Sequence, residues 1–268
     1  MITGDQMPRR YRDIIDEQID VYNQGRSITV YNSIPDTADI PIENPKHWLR
    51  IADVISVFVD MAKSTQLAAE NDDKTVAGAY QLFTGTAVRL FHEFDAPYID
   101  VRGDGVFALF DSSQPHTALA AAVTFKTFAH EEFVPIIRKR AQVDVGCHIG
   151  IDQGTLLVRK IGLKRKNGRT DRQNEVWAGK PVNMSSKLAA KSEHGELLAS
   201  DRFFKQFKSE LVLKSCGCPN GEKVDLWDSI DLSDDTRFDF ATAYRLRSNW
   251  CREHGREYCE AILKLDGE

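Results

Sequence analysis

The first fifty residues show no sustained apolar period, and Pro35, Pro41 and Pro45 interrupt them. They read as a short helix around Tyr11–Tyr22 followed by an extended arm. The pattern changes at Asp53–Asp60, Asp-Val-Ile-Ser-Val-Phe-Val-Asp, a nearly apolar, β-branched run that suits a central strand. Ser64 and Thr65 then offer a helix cap. Tyr80, Phe83, Ala87, Leu90, Phe91 and Phe94 repeat at helical spacing, as a face packed on a sheet would. Tyr98–Arg102 and Val106–Asp111 flank Gly103-Asp104-Gly105, a hairpin with a tight glycine turn. A second helix is expected over Gln114–Arg140 and a fourth strand over Gln142–Ile151. The order strand, helix, strand, strand, helix, strand is the split βαβ pattern of an α+β, ferredoxin-like fold. In it, strand one lies antiparallel beside strand three, helices cover one face and the other face is open. Downstream, the pattern predicts a helix from Pro181 to Lys191 and strands at Gly195–Ala199, Leu211–Leu213 and Lys223–Trp227. From Ser233 the chain is charged and helical in pattern, with Tyr244, Trp250 and Ile262 as docking residues. The implied division is an N-terminal helix and arm (1–50), a catalytic core (51–230) and a helical tail (231–268).

Composition narrows the classes. Charged residues make up 28% of the 268 positions and aromatics 9%, which excludes wholesale disorder. With 35 Lys+Arg against 40 Asp+Glu, the net charge of −5 argues against a dedicated nucleic-acid binder. No apolar run approaches the roughly 20 residues of a bilayer span, and Met1–Arg12 lacks the apolar core of a secretion signal. A cytoplasmic protein without a membrane partner is expected. The basic run Arg159, Lys160, Lys164, Arg165, Lys166, Arg169 and Arg172 reads first as a solvated loop or β-arm, and secondarily as a ligand site. Five cysteines are an odd number for a disulfide framework. A zinc site joining Cys216, Cys218, Cys251, His254 and Cys259 matches no common zinc spacing, so free thiols are the better reading.

Two carboxylates carry the chemistry. Asp60 ends strand one and Asp104 begins strand three, ends that an antiparallel pairing makes neighbours. Adjacent carboxylates repel, and a divalent cation is the natural compensation. Met61-Ala62-Lys63-Ser64-Thr65 behind them turns into a helix N-terminus, which is suited to an anion. Asn183 and Lys187 lie four apart, on one helical face.

In this order and register, the motifs resemble the catalytic domain of class III nucleotide cyclases, the adenylate and guanylate cyclase family, from about Asp53 to Trp227. Val57–Thr65 resembles the first metal motif, Arg102–Phe107 the second, and Gly150-Ile151-Asp152-Gln153-Gly154 a strand end. Glu175–Lys187 resembles the segment with Trp-Gly and Val-Asn followed by a basic residue. The resemblance implies that Asp60, Asp104 and the Met61 carbonyl bind two Mg²⁺ or Mn²⁺ ions. It implies that Asn183 orients the ribose while the 3′-oxygen attacks the α-phosphorus and expels pyrophosphate. Lys187 stands where the family usually has Arg, keeping the charge and losing the bidentate fork. Metal half and Asn/basic half come from different subunits in the family, and one chain here carries both, so a symmetric homodimer with interfacial sites is implied. Lys214 and Lys223, in an expected last hairpin, are alternative additional phosphate contacts.

The positions matching the family's base-recognition pair are Asp100 and Glu175, which is not the adenine pattern. By strand parity Tyr98, Asp100 and Arg102 share one face, and Ser56, Phe58 and Asp60 share another such face on strand one. Phe58 and Tyr98 would narrow the base pocket, and Arg102 would donate to carbonyl oxygens, of which uracil has two. Val-Trp-Ala-Gly-Lys-Pro-Val-Asn, with its extra Ala178, resembles the stand-alone pyrimidine cyclases of bacterial Pycsar anti-phage systems. That implies UTP or CTP as substrate, UTP preferred, and a cyclic nucleotide acting on a separate effector. The rivals are a purine cyclase, a diguanylate cyclase suggested by Arg102–Phe107, and a non-catalytic nucleotide-binding domain.

Overall fold

The computed structural model describes residues 7–163 and 172–267. In chain order the elements are α1 (Arg9–Asn23), β1 (Ser27–Tyr31), β2 (His47–Ala62), α2 (Ser64–Glu70), α3 (Asp73–Glu93), β3 (Tyr98–Arg102) and β4 (Gly105–Phe110). Then come α4 (Pro115–Phe128), α5 (Val134–Ala141), β5 (Gly146–Leu163), β6 (Arg172–Gly179), α6 (Lys180–Lys191), β7 (Glu196–Ser200), α7 (Asp201–Phe204), α8 (Glu210–Leu213), β8 (Trp227–Asp231), β9 (Thr242–Leu246) and α9 (Gly255–Lys264). The chain forms two compact units, Met1–Ile51 with Leu157–Ala178, and Ala52–Leu156 with Gly179–Glu268.

In the first unit, β1 pairs in parallel with the start of β2, Ser27 opposite His47 through Tyr31 opposite Ile51. The end of β5 pairs with β6. Arg159 lies over the Trp48 ring at 5.9 Å and donates to the Ile42 carbonyl at 3.2 Å, while the Lys160 N–H reaches the Pro41 carbonyl at 3.0 Å. These residues of the basic run therefore hold the arm, and Lys164–Arg169 lie outside the described residues. Within the arm, β1 is extended chain and a short 3₁₀ turn spans Thr37–Asp39. The first core strand also begins six residues earlier than expected, at His47. Asp53, where it was expected to start, is a bend inside β2 with φ +52°, and Gln153 donates to its carbonyl at 3.2 Å.

The second unit has the expected order. Its sheet runs β3-β4-β2-β5-β7-β9-β8, and the first four strands have the ferredoxin-like arrangement. β2 and β4 are antiparallel, Ile55 opposite Phe110 through Val59 opposite Val106. Ile55, Val57, Val59 and Met61 point from β2 into one large core with Phe83, Phe91, Phe125 and Phe133. Of the predicted stripe on α3, Phe83, Ala87 and Phe91 are buried, with Tyr80, Leu90 and Phe94 packed at the margin. Asp72, rather than Ser64 or Thr65, supplies a side-chain cap, accepting from the N–H groups of Lys74 and Thr75 at 2.9 and 3.2 Å. The second predicted helix is interrupted by a π-turn at Ala129–Phe133. Pro135, one residue into α5, has no N–H for the i→i−4 ladder, and the widened turn precedes it.

The opposite face is not open throughout. α6 crosses it, with Ser56 Oγ 2.9 Å from Ser185 Oγ, and Leu188 packs with Leu198, Leu232 and Ala243. Gly150 makes the crossing feasible: a Cβ there would lie 1.9 Å from the Ser185 carbonyl oxygen. β5 also continues twelve residues past Ile151, so Gly150–Gly154 is no strand end. Asp152, inside that motif, is fully buried, with Arg202 donating to its oxygens at 2.8 and 2.6 Å.

The tail differs most from expectation. Its Thr242–Leu246 segment is β9, inserted antiparallel between β7 and β8. Leu211–Leu213 is helical, and the predicted strand Lys223–Trp227 is loop until Trp227 opens β8. Docking at the expected residues is observed. Ile262 is buried in the core, Trp250 Nε1 donates to Thr124 Oγ1 at 2.9 Å, and Tyr244 stacks on Phe204 at 3.7 Å. Asp266 accepts from the N–H groups of His116 and Thr117 at 2.9 and 2.7 Å, so the C-terminal turn caps α4.

Candidate active site

The β3–β4–β2 register lays the predicted residues out in rows. Tyr98 faces Leu109, which faces Ser56; Asp100 faces Phe107, which faces Phe58; Arg102 faces Gly105. Continuing the register places Asp60 beside Gly105. The β3–β4 turn has positive φ at Gly103 (+69°) and not at Asp104, the type II′ pattern. That turn brings Asp104 to the end of β2. Burial first, and then the charge of Asp104, pushes the Asp60 carboxyl up to about 6, against a hydrogen bond from the Met61 backbone. Met61 follows at the strand end with its side chain in the core. Two carboxylates and a main-chain carbonyl form a hard oxygen donor set, and their mutual repulsion is what a divalent cation relieves. The residues fit such an ion.

Behind the pair the chain enters α2 through Lys63, at φ +60° and with no side-chain cap. α2 has seven residues, and its first turn follows directly on Met61-Ala62-Lys63, where an anion is expected from the sequence to be held.

On the base side, Asp100 Oδ2 and an Arg102 terminal nitrogen are 2.6 Å apart, and Arg102 is 55% exposed. The guanidinium is thus steered by Asp100 and retains further N–H groups for a ligand. Tyr98 and Phe107 pack at 5.8 Å, and Phe58 is half-buried. Gly105 leaves the space these groups need, since a Cβ there would lie 2.8 Å from Phe58 Cζ and 3.1 Å from Asp60 Oδ1.

α6 presents Asn183 to solvent and Lys187 one turn on. Lys187 Nζ donates to the Arg237 carbonyl at 2.8 Å, so its cation is held against the 235–239 loop. The same loop takes Lys180 through Asp239 at 2.7 Å and Lys191 through Asp235 at 3.5 Å. Hydrogen bonds from Arg202 and Lys180 hold the Asp239 carboxyl down at about 2, although burial opposes them. No described hydrogen bond or ion pair joins Asn183 or Lys187 to Asp60 or Asp104. Glu175 lies on β6 in the first unit, 3.9 Å from Lys160 Nζ.

The profile of the Adenylate and Guanylate cyclase catalytic domain matches residues 49–216. The chain belongs to the class III nucleotide cyclases. Within that family it is 35% identical to a uridylate cyclase of Propioniciclava tarda over 84% of this chain and 73% of the relative. It is 32% identical to a uridylate cyclase of Micromonospora echinofusca over 85% and 75%. Among solved structures, its fold resembles the guanylyl cyclase Cya2 (TM-score 0.58, 16% identity, 74% of this chain and 92% of that one). The adenylyl cyclase CyaB from P. aeruginosa is similarly alike (TM-score 0.56, 18% identity, 76% and 97%). The chain is accordingly a nucleotide cyclase with an α+β cyclase fold. No helix among the described residues is long and apolar enough to cross a membrane.

Several features of the cyclase escaped the sequence pattern. Gly105 reads as a turn residue, and only the register shows it as the gap between Phe58 and Asp60. The Asp152–Arg202–Asp239 network, which joins β5, α7 and the loop along α6, spans contacts 37 to 50 residues apart. Lys214 pairs with Glu210 at 3.5 Å beside an isolated bridge to Asp225, and Lys223 is exposed in the same loop. The expected hairpin is reduced to that antiparallel bridge and its flanking backbone bonds, Ser215 to Val224 at 2.8 Å and Leu226 to Leu213 at 2.9 Å, with Lys223 in the loop between them.

Proposed function

We propose that this cyclase converts UTP to 3′,5′-cyclic UMP and pyrophosphate at a site holding two divalent ions. The similarity to two uridylate cyclases at 32–35% identity carries this reading. The oxygen donors Asp60, Met61 and Asp104 would hold Mn²⁺ or Mg²⁺, which supplies charge neutralisation at the triphosphate and a more acidic 3′-hydroxyl. Asn183 orients the ribose so that its 3′-oxygen lies in line with the α-phosphorus. Lys187, released from the Arg237 carbonyl, takes up charge on the phosphates as they approach. Arg102, aimed by Asp100, donates to the uracil carbonyls, and Phe58 and Tyr98 limit the depth available to a larger purine. Glu175 is the remaining base-choice residue of the proposal.

Support for a homodimer comes from the cyclase resemblance, in which the metal half and the Asn/basic half belong to different subunits, while this chain carries both halves. Product release into solution fits a messenger that acts on a separate effector in anti-phage defence, within the cytoplasm. The Asp60→Ala protein tests the catalytic assignment. Cyclic UMP formation should fall by at least about a hundredfold, with fold and oligomeric state retained. Unchanged turnover would remove Asp60 from the site.

A further inference from the structure

Far along the chain from the carboxylate pair, four side chains converge between the loop after α8 and the start of α9. One ligand atom from each of Cys216, Cys218, Cys251 and His254 lies within 4.8 Å of all the others. Cys218 Sγ is 3.0 Å from His254 Nδ1. We propose that these four residues form a tetrahedral structural zinc site that fastens the C-terminal helix to the body of the second unit.

The donor chemistry is selective. Three thiolates and an imidazole match zinc, and tetrahedral Zn–S bonds of ~2.3 Å require ligand separations of about 3.8 Å. The observed cluster lies within about 1 Å of that spacing, the Cys218–His254 pair having to open from 3.0 Å while no other pair exceeds 4.8 Å. Both ligand pairs sit on short local turns. Cys216 and Cys218 flank Gly217, whose φ of +90° and 3.0 Å approach of a Cβ to the Gly221 backbone admit glycine only. Cys251 and His254 lie in the turn that leads into α9, His254 at its N-cap. The backbone N–H groups of His254 and Glu253 point at the Cys251 sulfur and orient it toward the cluster. Binding releases the three thiol protons to solvent and keeps the imidazole neutral.

The location explains why a clamp is useful. A cavity of about 220 Å³ lies alongside, lined by Leu119, Val123, Val212, Leu226, Trp250 and Ile262. Packing between α4, α8 and α9 is therefore incomplete, and a metal bridging residues 216–218 and 251–254 would tie the two sides of the gap together. The fifth cysteine, Cys259, is not part of the cluster; it packs against the core near Thr124. The assignment is independent of the substrate reading.

Elemental analysis of the full-length protein, purified without chelator from zinc-supplemented medium, tests the site. About one zinc per chain is expected, released in full by a thiol-reactive mercurial. Cys218→Ser and His254→Ala should each cut the content at least fivefold, and Cys259→Ser should leave it unchanged. Removing the metal should lower Tm by several degrees while the far-UV spectrum persists. Folded wild-type protein with less than about a tenth of an equivalent of zinc, whether its thiols are free or paired as a disulfide, overturns the proposal. So does full zinc content in the Cys218→Ser/His254→Ala double variant. Should the variants fail to fold, the zinc stoichiometry of the wild-type protein still separates the two outcomes.

Discussion

Asp60 is where the site pits function against stability. Its carboxyl titrates near 6 in the folded protein, against 3.8 in the unfolded chain. The folded state therefore binds the extra proton between those values, and stability falls as pH rises through that window. Metal-free Asp60→Asn protein should gain about 1–2 kcal/mol at pH 7, discounted for solvent screening, and nothing below pH 4. Denaturant titrations in EDTA at both pH values check this, and equal gains at both would refute the cause. The same proton competes with a divalent ion, so Mn²⁺ affinity should weaken below about pH 6. At the residue scale the sequence supplied positions rather than contacts. Short motifs named Asp60, Asp104 and Asn183, and strand parity put Phe58 with Asp60. What parity could not show was the pairing of Arg102 with Asp100 or of Lys187 with the Arg237 carbonyl. Both depend on rotamers rather than on spacing.

Among elements, α6 has an exacting seat. It lies so close to β5 that Gly150 has no room for a side chain, with the Ser185 oxygen at 1.9 Å and the Ala189 nitrogen at 2.5 Å from a would-be Cβ. Both obstacles are backbone, so nothing flexible can yield. Gly150→Ala should destabilise the protein by about 3 kcal/mol or more and displace the helix carrying Asn183. A chemical denaturation midpoint would register the loss, and a change below about 0.5 kcal/mol would show the seat to be loose. Elements with local signals were legible: β2 from its apolar run, the β3–β4 hairpin from its glycines, α6 from Pro181. Those depending on distant partners were not. β9 carries the alternation of a strand, with Arg245 and Arg247 alternating with Tyr244 and Leu246, but the run is too short to stand out from the charged segment around it. Their guanidinium groups lie within 3.6 Å and 3.0 Å of the Glu196 carboxylate on β7.

For the whole molecule, the proposed homodimer completes on each side a site of which one chain supplies the metal half and the other the Asn183 half. Mixing Asp60→Ala with Asn183→Ala subunits should then restore activity to about a quarter of the wild-type level, because one of the two sites in a mixed dimer is intact. Purified mixtures, compared with each variant alone, measure it; no recovery after subunit exchange would place both halves in one protomer. The ferredoxin-like core was predictable because its order of elements admits few topologies. The division into two units was not, because β2 and β5 each run through both, and continuous strands carry no boundary signal. The proposed base choice is assigned to the face shared by Phe58, Tyr98, Asp100 and Arg102. Its most direct test is incubation of the protein with Mn²⁺ and equal concentrations of UTP, CTP, ATP and GTP. Cyclic UMP is expected as the dominant product, and dominant cyclic AMP or cyclic GMP would refute the proposed base choice.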